Sequence, residues 1–119
     1  MKVQKYKVVI ARSGKQDVKD MKKYILDTFK YRELGEHFSK KIKNAAMQLD
    51  IFPTGYDTTG FMYRGYDIYL KPSDTYLLLY TVDEAKHTVT VLRVMQDGMN
   101  WQYILKRWLK QNAEFNMSI

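Results

Sequence analysis

The sequence predicts an α+β domain of order β-α-α-β-β-β-α, with two helices packed on one face of a small, mostly antiparallel sheet. Three observations carry this reading. Residues 64–95 contain three runs rich in Tyr, Val, Leu and Ile, the side chains that suit a pleated, half-buried surface. The polar gaps between them, Lys71–Thr75 and Asp83–His87, have hairpin length and turn chemistry. Residues 13–50 instead repeat apolar side chains every three or four positions, which is helical spacing. Helices gathered ahead of a block of antiparallel strands make an α+β layer architecture.

The first strand is Tyr6–Ala11. Ser13 with Gln16 three residues on has the form of a capping box, so the first helix is expected to start at Ser13 and to bury Val18, Met21, Ile25 and Phe29. A break near Tyr31–Arg32 precedes a second helix whose apolar face is Leu34, Phe38, Ile42, Ala45, Ala46 and Leu49. Lys40, Lys41 and Lys43 lie largely off that face. Pro53 and Gly55 end it, and Gly60 closes a polar loop. Strands follow over Arg64–Lys71, Tyr76–Glu84 and Val89–Met95; then Asp97–Gly98 turn the chain into a short helix opening at Trp101. Lys110–Ile119 has weak periodicity and is expected to be frayed or ordered by a partner. No repeat, low-complexity segment or linker divides the chain, so residues 1–119 read as one domain.

Composition narrows the function classes. The chain has no cysteine, which excludes disulfides, thiolate metal sites and cysteine nucleophiles and suits a reducing cytoplasm. Met1–Lys7 lacks the apolar run of a signal peptide, and the apolar run Tyr76–Val82 is far too short to span a bilayer, so a cytoplasmic location is expected. The net charge is +7; residues 1–50 hold 13 Lys and Arg against 6 Asp and Glu, while residues 51–119 hold 7 of each. The helical half therefore carries the excess, either as a solvated lysine surface or as a face that attracts phosphate or an acidic protein. His37 and His87 have no companion ligands at metal-binding spacing, so no metal and no cofactor is implied.

Side chains alternate across a strand, which gives each strand two lists. Tyr66, Ile68 and Leu70, with Tyr76, Leu78, Tyr80 and Val82, are assigned to the helix-packed core. The opposite face is then expected to carry Asp67, Tyr69 and Lys71 beside Leu77, Leu79 and Thr81. If that face is open, its two leucines make an apolar patch of the kind that marks a protein-binding surface. In the last strand, Arg93 shares a list with Val89, Val91 and Met95.

An arginine late in the last strand, a polar turn, and an aromatic opening a short helix (Arg93, Gln96–Met99, Trp101) resemble the RelE/ParE superfamily of bacterial type II toxins. The resemblance is close over residues 60–105 and extends elsewhere in layout only. It implies a growth-inhibiting toxin of a toxin–antitoxin system, of the kind linked to plasmid stabilisation, neutralised by a cognate antitoxin that wraps an amphipathic segment around it. On that resemblance the antitoxin would cover Leu77, Leu79, Thr81 and Trp101.

The resemblance also implies one of two targets. The mRNA interferase members cleave ribosome-bound mRNA without metal: a ribose hydroxyl attacks the adjacent phosphate, helped by a general base, a general acid and cations. The matching positions here depart from that set. Asp67 and Tyr69 stand where lysines are usual, Leu77 replaces an arginine, and Gln96-Asp97-Gly98-Met99 replaces a cationic turn. Lys71, Arg93 and Arg64 remain as phosphate contacts, with Tyr69 or Tyr103 for proton transfer. Family frequency places the endonuclease first; the gyrase-inhibiting branch, which needs no RNA-cleaving set and which the Leu92–Met95 and Asn100–Trp101 stretches approach, is the alternative. A basic nucleic-acid-binding module without toxicity is the third reading.

Each residue also has a plainer role. Arg93 reads best as a structural arginine bridging the sheet and the last helix. Lys71 beside Pro72, and Arg64 beside Gly65, are ordinary exposed charges at strand ends. Trp101, Ile104, Leu105, Trp108 and Leu109 form one helical face, more often core than partner surface.

Overall fold

Strand β1 (Lys7–Ile10) leads into a helical hairpin, α1 (Arg12–Phe29) and α2 (Arg32–Met47). Two short 3₁₀ turns, over 48–50 and 53–55, connect it to β2 (Asp57–Tyr63), β3 (Tyr66–Ser73), β4 (Tyr76–Asp83) and β5 (Thr88–Gln96), and α3 (Trp101–Met117) follows. This computed structural model describes residues 4–117, with side chains for 4–112. The sheet has the order β1-β5-β4-β3-β2; β1 runs parallel to β5 and the other pairs are antiparallel.

The α+β class and the element order stand as the sequence predicts. One strand is added: residues 57–60, expected to end a polar loop closed by Gly60, form the edge strand β2 together with residues 61–63. A bulge interrupts its pairing between Thr58 and Met62, where Gly60 takes a φ of 84°, and the Thr59 hydroxyl donates to Ile68 O at 2.9 Å. The break between the helices falls where expected. Lys30 adopts left-handed geometry and donates its N–H to Leu26 O, and extended Tyr31 starts α2.

The capping box does not form. The helix begins at Arg12 with no side-chain cap, and Gln16 bonds Asp20 instead. Ser13 has a different task, set by strand lengths. β1 stops at Ile10 opposite Val91, whereas β5 runs on to Gln96 and would leave its edge groups unpaired. The first turns of α1 satisfy them. Ala11 N–H donates to Val91 O at 2.9 Å, the Ser13 hydroxyl donates to Leu92 O at 2.6 Å, and the Asp17 carboxylate accepts Val94 N–H at 2.9 Å. Gly14 permits this approach, because a Cβ there would lie 3.1 Å from Val91 O.

The core has two layers. On one sheet face, Phe38, Ile42 and Ala45 of α2, Leu49 of the 3₁₀ turn after it and the half-buried Val18, Met21 and Ile25 of α1 pack on Leu78, Tyr80, Val82, Val89, Val91 and Val94. On the other, α3 packs on Ile68, Leu79, Leu92 and Met95. The expected short helix extends to Met117, through most of the stretch expected to be frayed; Ser118 and Ile119, like Met1–Val3, lie outside the described residues. Among the described residues no helix is long and apolar enough to cross a membrane.

Candidate functional site

The face expected to be open is closed by α3. Leu77, Leu79 and Thr81 are 6%, 0% and 8% exposed, so they form no accessible apolar patch. Above them, Leu105 is fully buried, and Trp101, Ile104, Trp108 and Leu109 are half-buried against the same cluster. Trp101 thus opens the helix that seals this face. The physical reason is simple: α3 is amphipathic, and its apolar stripe removes more surface from water on the leucine face than it would beside it.

Strand β3 presents the faces opposite to those expected. Tyr69 pairs with Tyr80 and Lys71 with Leu78, so both lie toward α1 and α2, while Ile68 and Leu70 lie toward α3. Directly opposed residues of an antiparallel pair share a face. Tyr69 stacks on Tyr80 with ring centroids 5.4 Å apart, and the Tyr80 hydroxyl donates to Pro53 O. Lys71 is 5% exposed. Its ammonium donates to Ala45 O at 2.8 Å and Gln48 Oε1 at 3.0 Å, tying the end of α2 to the sheet, and burial pushes its pKa down. These contacts engage the ammonium in the fold.

Arg93 sits at a bulge. Leu79 pairs with Arg93 but Tyr80 pairs with Val91, which leaves Leu92 as the extra residue. The bulge changes the phase of β5, so Val89, Val91 and Val94 reach one core layer and Leu92 and Met95 the other; the single list of Val89, Val91, Arg93 and Met95 is divided. The guanidinium makes a bidentate pair with Asp17, at 2.8 Å from Nε and 2.9 Å from the terminal nitrogen, and lies 5.7 Å from the centre of the Trp108 ring. It therefore bridges the sheet to α1 as well as to the last helix.

The remaining two candidates lie elsewhere. Arg64 occupies the β2–β3 turn with a φ of 52°, its guanidinium 5.0 Å over the Tyr63 ring. Tyr103 is 60% exposed on the outer side of α3. The structure thus does not bring Lys71, Arg93, Arg64, Tyr69 and Tyr103 to one place.

Two surfaces stand out instead. A largely apolar concavity of ≈ 290 Å³ lies between α1, the end of β5 and the start of α3, lined in part by Met21, Tyr24, Met95, Met99 and Ile104. A second depression runs along α3 between Tyr103, Lys106, Arg107 and Lys110. Asp17 was not among the residues expected from the sequence; its signal is its place one turn after Ser13 beside the apolar stripe. Nor were the α3 cations, whose signal is their spacing opposite Trp101, Leu105 and Trp108. Among the described residues no cluster of His, Asp or Glu has the geometry to hold a metal ion.

Comparison with known proteins agrees with this architecture. Residues 8–101 match the family described as the ParE toxin of the type II toxin–antitoxin system parDE. The chain belongs to the ParE toxin family. A chain of a chromosomal ParDE toxin–antitoxin system from P. aeruginosa superposes with a TM-score of 0.64 at 9% identity, covering 80% of this chain and 99% of that one. A chain of the RelBE2 toxin–antitoxin complex from Mycobacterium tuberculosis superposes at 0.54 with 20% identity, covering 80% and 94%. At these identities the likenesses establish the fold. No curated protein matches the chain. The ParE family match ends at Trp101, so almost all of α3 lies beyond it.

Proposed function

We propose that the protein is the toxin of a type II pair that arrests growth in the cytoplasm by binding DNA gyrase rather than by cutting mRNA. The observation that supports this most is the condition of the two cations best placed for nuclease chemistry. Lys71 is buried against Ala45 O, and Arg93 is held by Asp17. Neither offers a free charge to a phosphorane, and the sheet face expected to be open is filled by α3. Loss of the arginine and lysine positions at Leu77, Asp67 and Met99 points the same way. The expected result is inhibition of gyrase supercoiling by the purified protein, with no cleavage of mRNA on purified ribosomes. Ribosome-dependent cutting with unaffected gyrase would overturn the reading in favour of the endonuclease.

The same reading includes a protein antitoxin, and its binding surface moves from Leu77, Leu79 and Thr81 to the concavity beside α1. Tyr24 and Met99 there are 65% and 44% exposed, large apolar side chains suited to an amphipathic helix. Replacing both with Asp is expected to leave folding intact and to weaken antitoxin affinity by about 30-fold, near 2 kcal/mol. The check is calorimetric titration with the product of the adjacent reading frame; wild-type affinity would place the interface elsewhere.

A further inference from the structure

We propose that the outer face of α3 is a cationic ridge that docks on the phosphate backbone of duplex DNA. Residues 98–113 contain no acid, and the first after Asp97 is Glu114. In that interval Lys106, Arg107 and Lys110 fall at helical spacing with Tyr103, and all four are exposed. The opposite side of the helix, Leu105 and Trp108 above all, is packed on the sheet. The ridge is therefore locked facing outward rather than free to rotate toward an internal partner. Among the described residues none of the three cations makes an ion pair, whereas Arg93, Lys22, Lys41 and Lys5 do.

Charge complementarity selects a polyanion. Lys106 and Lys110 are about 6 Å apart along the helix axis, and a helix packed along one side offers the charges of its other side as a fixed row. That suits the regular phosphate rail of a duplex, where lysine and arginine neutralise charge and a tyrosine hydroxyl donates to phosphate oxygen. Readers of single-stranded RNA favour a bare sheet with several stacking aromatics, and here both sheet faces are covered. The proposal deepens the gyrase reading and rests on it for its purpose: the toxin would contact the DNA on which gyrase acts as well as the enzyme.

The test is fluorescence anisotropy of the full chain with a short labelled duplex, without gyrase, across a salt series. Wild type is expected to bind with affinity that falls steeply with salt. The K106A/R107A/K110A variant should fold normally by circular dichroism, since all three side chains are exposed, and should flatten the log–log salt slope by about 2–3. Should that variant misfold, K106Q/R107Q/K110Q replaces it. A charge-matched variant at exposed helical sites, K19A/K23A/K40A, should change the slope far less. Three results overturn the ridge: no duplex binding at low salt, equal losses from the two triple variants, or tighter binding of single-stranded RNA of the same length. Gyrase inhibition measured in parallel separates the two ideas. Inhibition without duplex binding sinks the ridge alone, and salt-dependent duplex binding through α3 without inhibition sinks the gyrase reading alone.

Discussion

Replacing Leu79 with Asp is expected to unfold the protein. Leu79 is 0% exposed and lies between Ile68, Leu92 and Leu105 at the centre of the layer under α3. The change removes about 2 kcal/mol of apolar burial and places a carboxylate among leucines, which costs several kcal/mol more even after relaxation. A domain of this size has about 5–15 kcal/mol of total stability, so the loss consumes most of it. The measurement is thermal denaturation by circular dichroism, with solubility as the first sign. A Leu79→Asp protein that melts like wild type, with fast amide exchange confined to α3, would mean that α3 leaves the sheet in solution. Leu77 and Leu79 would then be free to meet a partner.

The burial of those leucines was legible in the strand pattern, because β4 is apolar on both lists. Tyr76-Leu77-Leu78-Leu79-Tyr80 is a continuous run, the mark of a strand covered on both faces. The covering element was visible too, as the apolar stripe of Trp101, Leu105 and Trp108, but the family resemblance implies an open face there.

The inverted faces of β3 have a separate cause. A five-residue gap from Lys71 to Thr75 pairs even-numbered residues of β3 with even-numbered residues of β4. The actual turn is two residues, Asp74 and Thr75, because Ser73 pairs with Tyr76. This pairs odd with even and reverses every side chain of β3 relative to β4. The strand reaches past Pro72 because only one of its flanking strands continues that far: β2 pairs with β3 through Leu70 at that end. Turn parity, not apolar content, moved Lys71 and Tyr69 to the α2 side.

The helical half was easier to read, since Phe38, Ile42, Ala45, Ala46 and Leu49 repeat at helical spacing and all are buried. Charge was legible only at the right scale. Counting residues 51–119 together gives a neutral half, because Glu114 and six acids ahead of α3 (Asp57, Asp67, Asp74, Asp83, Glu84 and Asp97) balance Arg64, Lys71, Lys86, Arg93 and the three cations of α3. The six acids ahead of α3 lie on strands and turns, and salt screens exposed charges beyond about 10 Å. A neutral sum therefore coexists with a basic helix face.

Asp17 carries the other large expected effect. Its carboxylate accepts from Arg93 twice and from Val94 N–H, and the two side chains are only 14% and 18% exposed. Asp17→Ala leaves a guanidinium partly buried without its counter-charge and an edge N–H of β5 without an acceptor. The cost is expected to be about 3–5 kcal/mol, measured by urea denaturation. Asp17→Asn keeps an oxygen for one of the donors and should lose about half as much. Arg93→Ala should be milder than Asp17→Ala, because Asp17 would retain Val94 N–H and can reach water. That order distinguishes a strut from a contact. A strut makes the Asp17 and Arg93 changes strongly non-additive in stability, and leaves gyrase inhibition intact wherever the variants remain folded. If Asp17→Ala and Arg93→Ala both denature at the wild-type midpoint while Arg93→Ala alone abolishes activity, the ion pair does not hold the fold together, and Arg93 meets the target directly.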